Sequence, residues 1–266
     1  MHIKGDGVPH NATTSHQSGF TLVELALVLT IMGLLAGGVL KAQEMIANAR
    51  ATSTIAQIQA YQKAVGIFYD SYLAIPGDFN AAQKCLPNCT TATNCTDGNG
   101  DKMVGSAEEA WKTIDATINS ENTQLWRHLA LADLMQGVAV SGTQTGFGIS
   151  HPASRLSGGF HARQADAASE MPDGLVLVLR ASPQGTWQGG TRGMAISPKD
   201  AAKIDRKIDD GAAFSGYAYA ISNGHNDGCG TQNAGTQGET GYDETSAERS
   251  CDMIFKLWPA PPSATP

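Results

Sequence analysis

The chain has 266 residues, 41% of them hydrophobic, with 30 glycines and a formal net charge of −7. That length holds one medium domain with an appended segment or two small domains, and the composition is that of a chain with a packed core. Only 18 residues are Lys or Arg, and no basic run with interleaved aromatics occurs, which argues against nucleic acid as the main partner.

Residues 1–19, "MHIKGDGVPHNATTSHQSG", are polar and have no apolar centre of their own. From Phe20 to Leu40 the chain runs apolar with Glu24 as the only charge. At ~1.5 Å per residue this helix spans roughly the 30 Å hydrocarbon core of a bilayer. A carboxylate at membrane depth is costly unless it finds a partner, so Glu24 reads as functional. A secretory signal fits poorly. The polar part has only Lys4 as a firm positive charge, and "LKAQEMIANARATSTIAQIQAYQKAVGIFYDSYLAI" continues as helix without a break.

The stretch "GFTLVELALVLTIMGLLAGG" resembles the N-terminal signature of type IV prepilins and related pseudopilins. The resemblance implies that a prepilin peptidase cuts between Gly19 and Phe20 and N-methylates Phe20. Residues 1–19 are then a leader, 20–40 a transmembrane or filament-core helix, 41–75 its amphipathic continuation, and 76–266 a periplasmic or extracellular globular domain. It also implies a role for Glu24, which becomes the fifth mature residue and pairs with the free amine of Phe20 on a neighbouring subunit. Ser18 stands where a basic residue usually precedes the glycine, and the leader is longer than the short basic kind; both departures bear on the subclass.

Beyond the membrane segment, Met45, Ala49, Ile55, Ile58, Val65, Phe68 and Tyr72 recur mostly three or four apart, the apolar stripe of a helix lying on a globular body. "AIPGDF" ends it, since Pro76 disfavours helix at Ile75 and Gly77 favours a turn. Five cysteines follow in two loop-like clusters, a distribution that suggests an oxidising compartment and disulfides. Cys229 and Cys251 enclose a Gly/Asn/Thr-rich loop and are expected to pair. Two of Cys85, Cys89 and Cys95 form a second bridge, and the sequence leaves open which two. The competing zinc reading lacks a second cysteine pair at finger spacing and a nearby His.

In "DGNGDKMVGSAEEAW", Asp97, Asn99 and Asp101 occupy the first, third and fifth positions of an EF-hand-like loop, with the Met103 carbonyl at the seventh and Glu108 at the twelfth. Lys102 stands where the sharp turn wants Gly. Two readings stand: a calcium loop, or a plain Asn/Asp/Gly turn leading into a helix near Ala107. No cofactor is otherwise required. A second helix, capped by Ser120 or Asn119, carries Leu125, Trp126, Leu129, Ala132 and Met135 up to Gly137.

The stretch from Ser141 to Asp173 is rich in Gly, Ser and His and is expected to hold an irregular strand and exposed loops. "GLVLVLR" (174–180) reads as a buried strand and "RGMAIS" as another; Ser197, Pro198 and Asp200 announce a helix to about Ile208; "SGYAYAIS" and "CDMIFKLW" read as two further strands. The expected architecture is α+β: a long N-terminal helix on a mostly antiparallel sheet, pilin-like, with a disulfide-tied C-terminal loop. His128, His151, His161 and His225 are scattered, His128 on a helix surface, and no nucleophile elbow, His-Glu-x-x-His or phosphate loop occurs, so an enzyme is not expected.

The reading as a whole is a filament subunit. Its partners are copies of itself, other pilins, the prepilin peptidase and an inner-membrane assembly platform. It waits in the inner membrane before assembly and lies in the periplasm or an extracellular filament after it. A type II secretion pseudopilin, or a membrane-anchored ligand-binding protein without a filament, are the alternatives.

Overall fold

The computed structural model describes residues 19–105, 113–114, 117–165, 174–183, 185–186, 194–221, 229–230 and 241–258. In chain order these hold α1 (Leu22–Tyr72), α2 (Ala82–Cys85), β1 (Thr113–Ile114), α3 (Glu121–Leu131), β2 (Gly159–Ala165), β3 (Gly174–Arg180), β4 (Gly185–Thr186), α4 (Pro198–Ile208), β5 (Ala218–Ile221) and β6 (Asp252–Trp258). Met1–Ala47 and Asn48–Pro266 form two separate compact units.

Within the first unit, Leu22 to Ala47 is helix whose apolar side chains, from Phe20 to Ile46, are exposed. Among the described residues α1 is the one helix long and apolar enough to cross a membrane.

In the second unit α1 buries Ala51, Thr54, Ile55, Ile58, Tyr61, Ala64, Val65 and Phe68. Steps of three and four keep these on one face of a 3.6-residue repeat. The buried stripe therefore begins at Ala51, later than the periodicity suggests, and Met45 and Ala49 are exposed. The helix ends at Tyr72 because Leu73 turns left-handed (φ 52°), several residues before Pro76 acts.

The stripe packs on a four-stranded antiparallel sheet of order β2-β3-β6-β5. Tyr61 meets Trp126 of α3 and Phe160 of β2 edge-on, with ring centroids 5.2 and 5.4 Å away. Leu175, Leu177, Leu179, Met253, Phe255 and Leu257 join this main core, whereas Ala165, Val176, Val178 and Ile254 form a smaller one with Tyr219. Successive strand residues point to opposite faces, so "GLVLVLR" places its leucines in one core and its valines in the other. Burial on both faces explains why this strand is apolar without alternation.

Gln57 and Gln62 lie along α1 and bond to the Ala153 and Lys256 carbonyls at 3.1 and 2.8 Å, anchoring the helix laterally. On the buried second face Arg180 Nε lies 3.3 Å from Asp252 Oδ2, and Asp252 Oδ1 accepts from the Ala195 N–H at 2.9 Å. Ser197 caps α4 by accepting from the Asp200 N–H, with Pro198 at the first helical position.

Two expectations are corrected. "RGMAIS" is no strand among its described residues: only Ile196 makes a bridge, to Cys251, because α4 starts immediately after Ser197. α3 stops at Leu131 rather than near Gly137, since Asp133 turns left-handed (φ 58°). The strand expected between Ser141 and Asp173 is the edge strand β2, which carries the polar His161, Arg163 and Gln164. The helix expected near Ala107 and Trp111 lies outside the described residues.

Candidate assembly site and the cysteine loop

At the N-terminus Thr21 and Glu24 form a reciprocal cap on α1. The Thr21 N–H and Oγ1 both donate to Glu24 Oε2 at 3.0 Å, and the Glu24 N–H donates to Thr21 Oγ1 at 3.2 Å. This is a capping box, written in the sequence as Thr-Leu-Val-Glu. Glu24 thus has a local role within its own chain. Both bonds use Oε2, and no described contact occupies Oε1. Gly19 and Phe20 precede the helix and are exposed, so the expected cut site lies on open chain.

The second cluster surrounds the loop after α1. Cys89 bonds to Cys95 and Cys229 to Cys251, leaving Cys85 as an exposed free thiol. Between Cys89 and Cys95 a single 3₁₀ turn, Thr91–Thr93, is held by a Thr90/Thr93 capping box. Asn88 and Asn94 bracket it in left-handed conformations, which asparagine tolerates.

α3 fastens this loop with three buried polar side chains. Arg127 donates to the Asn94 and Gly142 carbonyls. Gln124 donates to the Asn94 carbonyl at 2.9 Å and accepts from the Thr96 N–H at 3.3 Å. His128 accepts from the Gly77 N–H at Nδ1, 3.0 Å, so its proton sits on Nε2, which donates to the Thr96 carbonyl at 3.0 Å. Burial pushes the His128 imidazole down to about 4 and keeps it neutral. His128 is therefore a buried tie between three segments rather than a helix-surface residue; no local pattern marks it, because its partners are both backbone groups far away in the chain.

The residues of the expected calcium loop have turn roles. Asp97 Oδ1 accepts from the Gln83 N–H at 2.8 Å, Asn99 Oδ1 from Asp101 N at 2.8 Å, and Asp101 Oδ1 from Met103 N at 2.9 Å. Glu108 lies outside the described residues. At the loop's centre is Asp78, which the spacing did not single out. It accepts from the Gly100, Asp101 and Lys102 N–H groups at 2.6, 3.0 and 2.8 Å. Glu121, first residue of α3, accepts from Asn99 N and Gly105 N, both at 2.9 Å.

Asp78, Asp101 and Glu121 present carboxylate oxygens within 4.8 Å of one another. Burial first, and then the two neighbouring acids, hold the Asp78 carboxyl up at about 6 against the pull of its backbone bonds. The loop approaches so closely that a Cβ on Gly98 would lie 2.3 Å from the Asp78 carbonyl carbon. One on Gly77 (φ 94°) would lie 2.5 Å from the Glu121 carbonyl oxygen.

Among known families, the model of the prokaryotic N-terminal methylation motif matches residues 14–40. No curated protein and no solved structure matches the chain. The motif covers the expected cut site, the Thr21–Glu24 cap and the exposed apolar helix together. Proteins that carry it are typically structural rather than catalytic and assemble with other pilins. The chain thus carries, at the start of its apolar N-terminal helix, the methylation motif found in type IV pilins and pseudopilins.

Proposed function

We propose that the chain is a structural subunit of a type IV pilus or pilus-like filament. It is cut after Gly19, N-methylated at Phe20, held in the inner membrane by residues 20–40 and then packed into a filament through that helix. The supporting observation is the pairing of the methylation motif with an apolar helix surface that its own chain leaves bare. Such a surface belongs in lipid or against other apolar helices. Glu24, capped by Thr21 through one oxygen, keeps the other for the amine of Phe20 on a neighbour. A pseudopilin in a type II secretion system is the second reading, and the same motif supports it.

The experiment is recovery of sheared surface filaments and sequencing of their main component. A band starting at methylated Phe20 supports the pilus reading. A protein cut at Phe20 but absent from filaments supports the secretion reading, and one that retains Met1 or starts after Ala42 overturns both. Glu24→Ala is expected to leave membrane insertion intact and to impair assembly; normal filament yield refutes the pairing. Calcium is proposed as the cation of the loop at 97–105, where Asp101 meets Asp78 and Glu121.

A further inference from the structure

The sequence disfavours zinc because no His lies near the first cysteine cluster in the chain, yet the fold supplies one. A sulfur from each of Cys89 and Cys95 and a ring nitrogen of His128 lie within 4.8 Å of one another, and all three residues are buried. We propose that, when Cys89 and Cys95 are thiols, they and His128 bind a zinc ion, so that zinc and the disulfide are alternative staples of the same loop.

The donor set is the first argument. Two thiolates and a neutral imidazole suit a borderline-soft d¹⁰ ion, which takes four ligands in a tetrahedron; water fills the fourth place. The His128 ring accepts at Nδ1 from the Gly77 N–H, so that nitrogen carries a lone pair, as a ligand atom must. Ligation through Nδ1 exchanges the bond from the Gly77 N–H for the metal, and the Nε2–H still donates to the Thr96 carbonyl and orients the ring.

The backbone is the second argument. The two cysteine Cα atoms are 5.0 Å apart. Zinc-bound sulfurs sit about 2.3 Å from the metal, hence roughly 3.8 Å from each other in a tetrahedron. Side-chain rotation covers this change without moving the chain. The loop is also fixed independently of the sulfur bond, by Arg127, Gln124 and the Thr90/Thr93 cap. Reduction therefore leaves the three ligands gathered.

The balance is simple. Two thiols and Zn²⁺ give the bis-thiolate complex and two protons. Oxidation by a disulfide-bearing oxidant instead takes two electrons from the thiolates, forms the Cys89–Cys95 bond, reduces the oxidant to a dithiol and releases the metal. Cys85 is exposed and outside this group, so it is not a ligand.

The test uses the full chain in detergent with Cys85→Ser, which removes the free thiol, reduced by a phosphine and titrated with Co²⁺ as a spectroscopic stand-in. The reduced protein is expected to show the visible bands of tetrahedral cobalt and a thiolate charge-transfer band, displaced by stoichiometric Zn²⁺. The oxidised protein is expected to show neither. Cys89→Ser or Cys95→Ser removes the signal. His128→Gln weakens binding by about tenfold or more, since loss even of an outer-shell partner costs that much. Should His128→Gln fail to fold, X-ray absorption at the zinc edge of the reduced Cys85→Ser protein reads the shell directly. Two sulfurs and two lighter ligands, with an imidazole scattering pattern, support the site. A shell without sulfur, with four sulfurs or without imidazole overturns it, as does a reduced protein that gives no tetrahedral cobalt spectrum.

Discussion

His128 makes the sharpest prediction about stability. Its buried ring is neutral in the fold and titrates at about 4 instead of 6.5. Between those values the unfolded chain holds a proton that the folded chain does not, so stability present above pH 6.5 is lost as pH falls toward 4. At about 1.4 kcal/mol per pH unit, the fall amounts to about 3 kcal/mol. The structural reason is plain: a protonated Nδ1 can no longer accept from the Gly77 N–H, and the charge has no carboxylate bonded to it. The assay is urea unfolding between pH 3.5 and 7.5 for the native chain and His128→Gln, both with disulfides intact. Asp78, Asp205 and Asp252, each held near 6, act in the opposite direction over about pH 4 to 6. They are common to both proteins and drop out of the difference. The native chain is expected to be more stable at pH 7, with its advantage shrinking by about 3 kcal/mol by pH 4. An advantage equal at both pH values would show that His128 titrates normally and refute the buried-tie assignment.

Further outcomes follow from the cysteines, the buried ion pair and the acidic loop. The Cys229–Cys251 bridge spans 22 residues and Cys89–Cys95 spans 6, so by chain entropy their double-serine variants cost about 3 and about 2 kcal/mol; an inverted order in denaturant unfolding would refute this reasoning. Asp252→Ala leaves Arg180 and the Ala195 N–H without that carboxylate and is expected to cost about 3–5 kcal/mol, again read by urea unfolding. A calcium ion held by Asp78, Asp101 and Glu121 would raise stability by about 2.7 kcal/mol at a hundredfold excess over its Kd. A melting temperature unchanged by chelator counts against the ion.

How far the sequence reveals this molecule depends on the range of each signal. The helix stripe, the Ser-Pro-x-Asp cap of α4 and the strands β3 and β6 are local patterns of period or terminus, and each stands where its pattern lies. β2 shows in the sequence only as an irregular strand without bounds, because its second-face residues are His161 and Arg163 rather than apolar ones. The cysteine loop escapes for a different reason. Asp78, Glu121 and His128 act on backbone groups some 16 to 51 residues away, and such contacts leave no spacing to read. The oxygen-rich spacing at Asp97–Asp101 is genuine, but the structure uses it for Asx turns around Asp78.

Glu24 shows how one residue can meet two demands in succession. In the uncut chain, the first turn of α1 presents N–H groups at the positive end of a helix dipole, and the Thr21–Glu24 box answers both. A cut after Gly19 adds a cationic amine one residue before Thr21, beside that same positive end. The amine and the dipole repel, and Glu24 is the only acid in the first turn to offset them. One carboxylate oxygen is already committed to Thr21; in the proposed filament an amine from a neighbouring helix would compete for the other on better terms in lipid than in water, because the alternative there is an unpaired charge. Thr21→Val separates the two demands: it removes the side-chain half of the cap and leaves the carboxylate. If the cap is the reason for Glu24, Thr21→Val impairs filament yield as Glu24→Ala does; if the neighbour's amine is the reason, Thr21→Val assembles and Glu24→Ala does not.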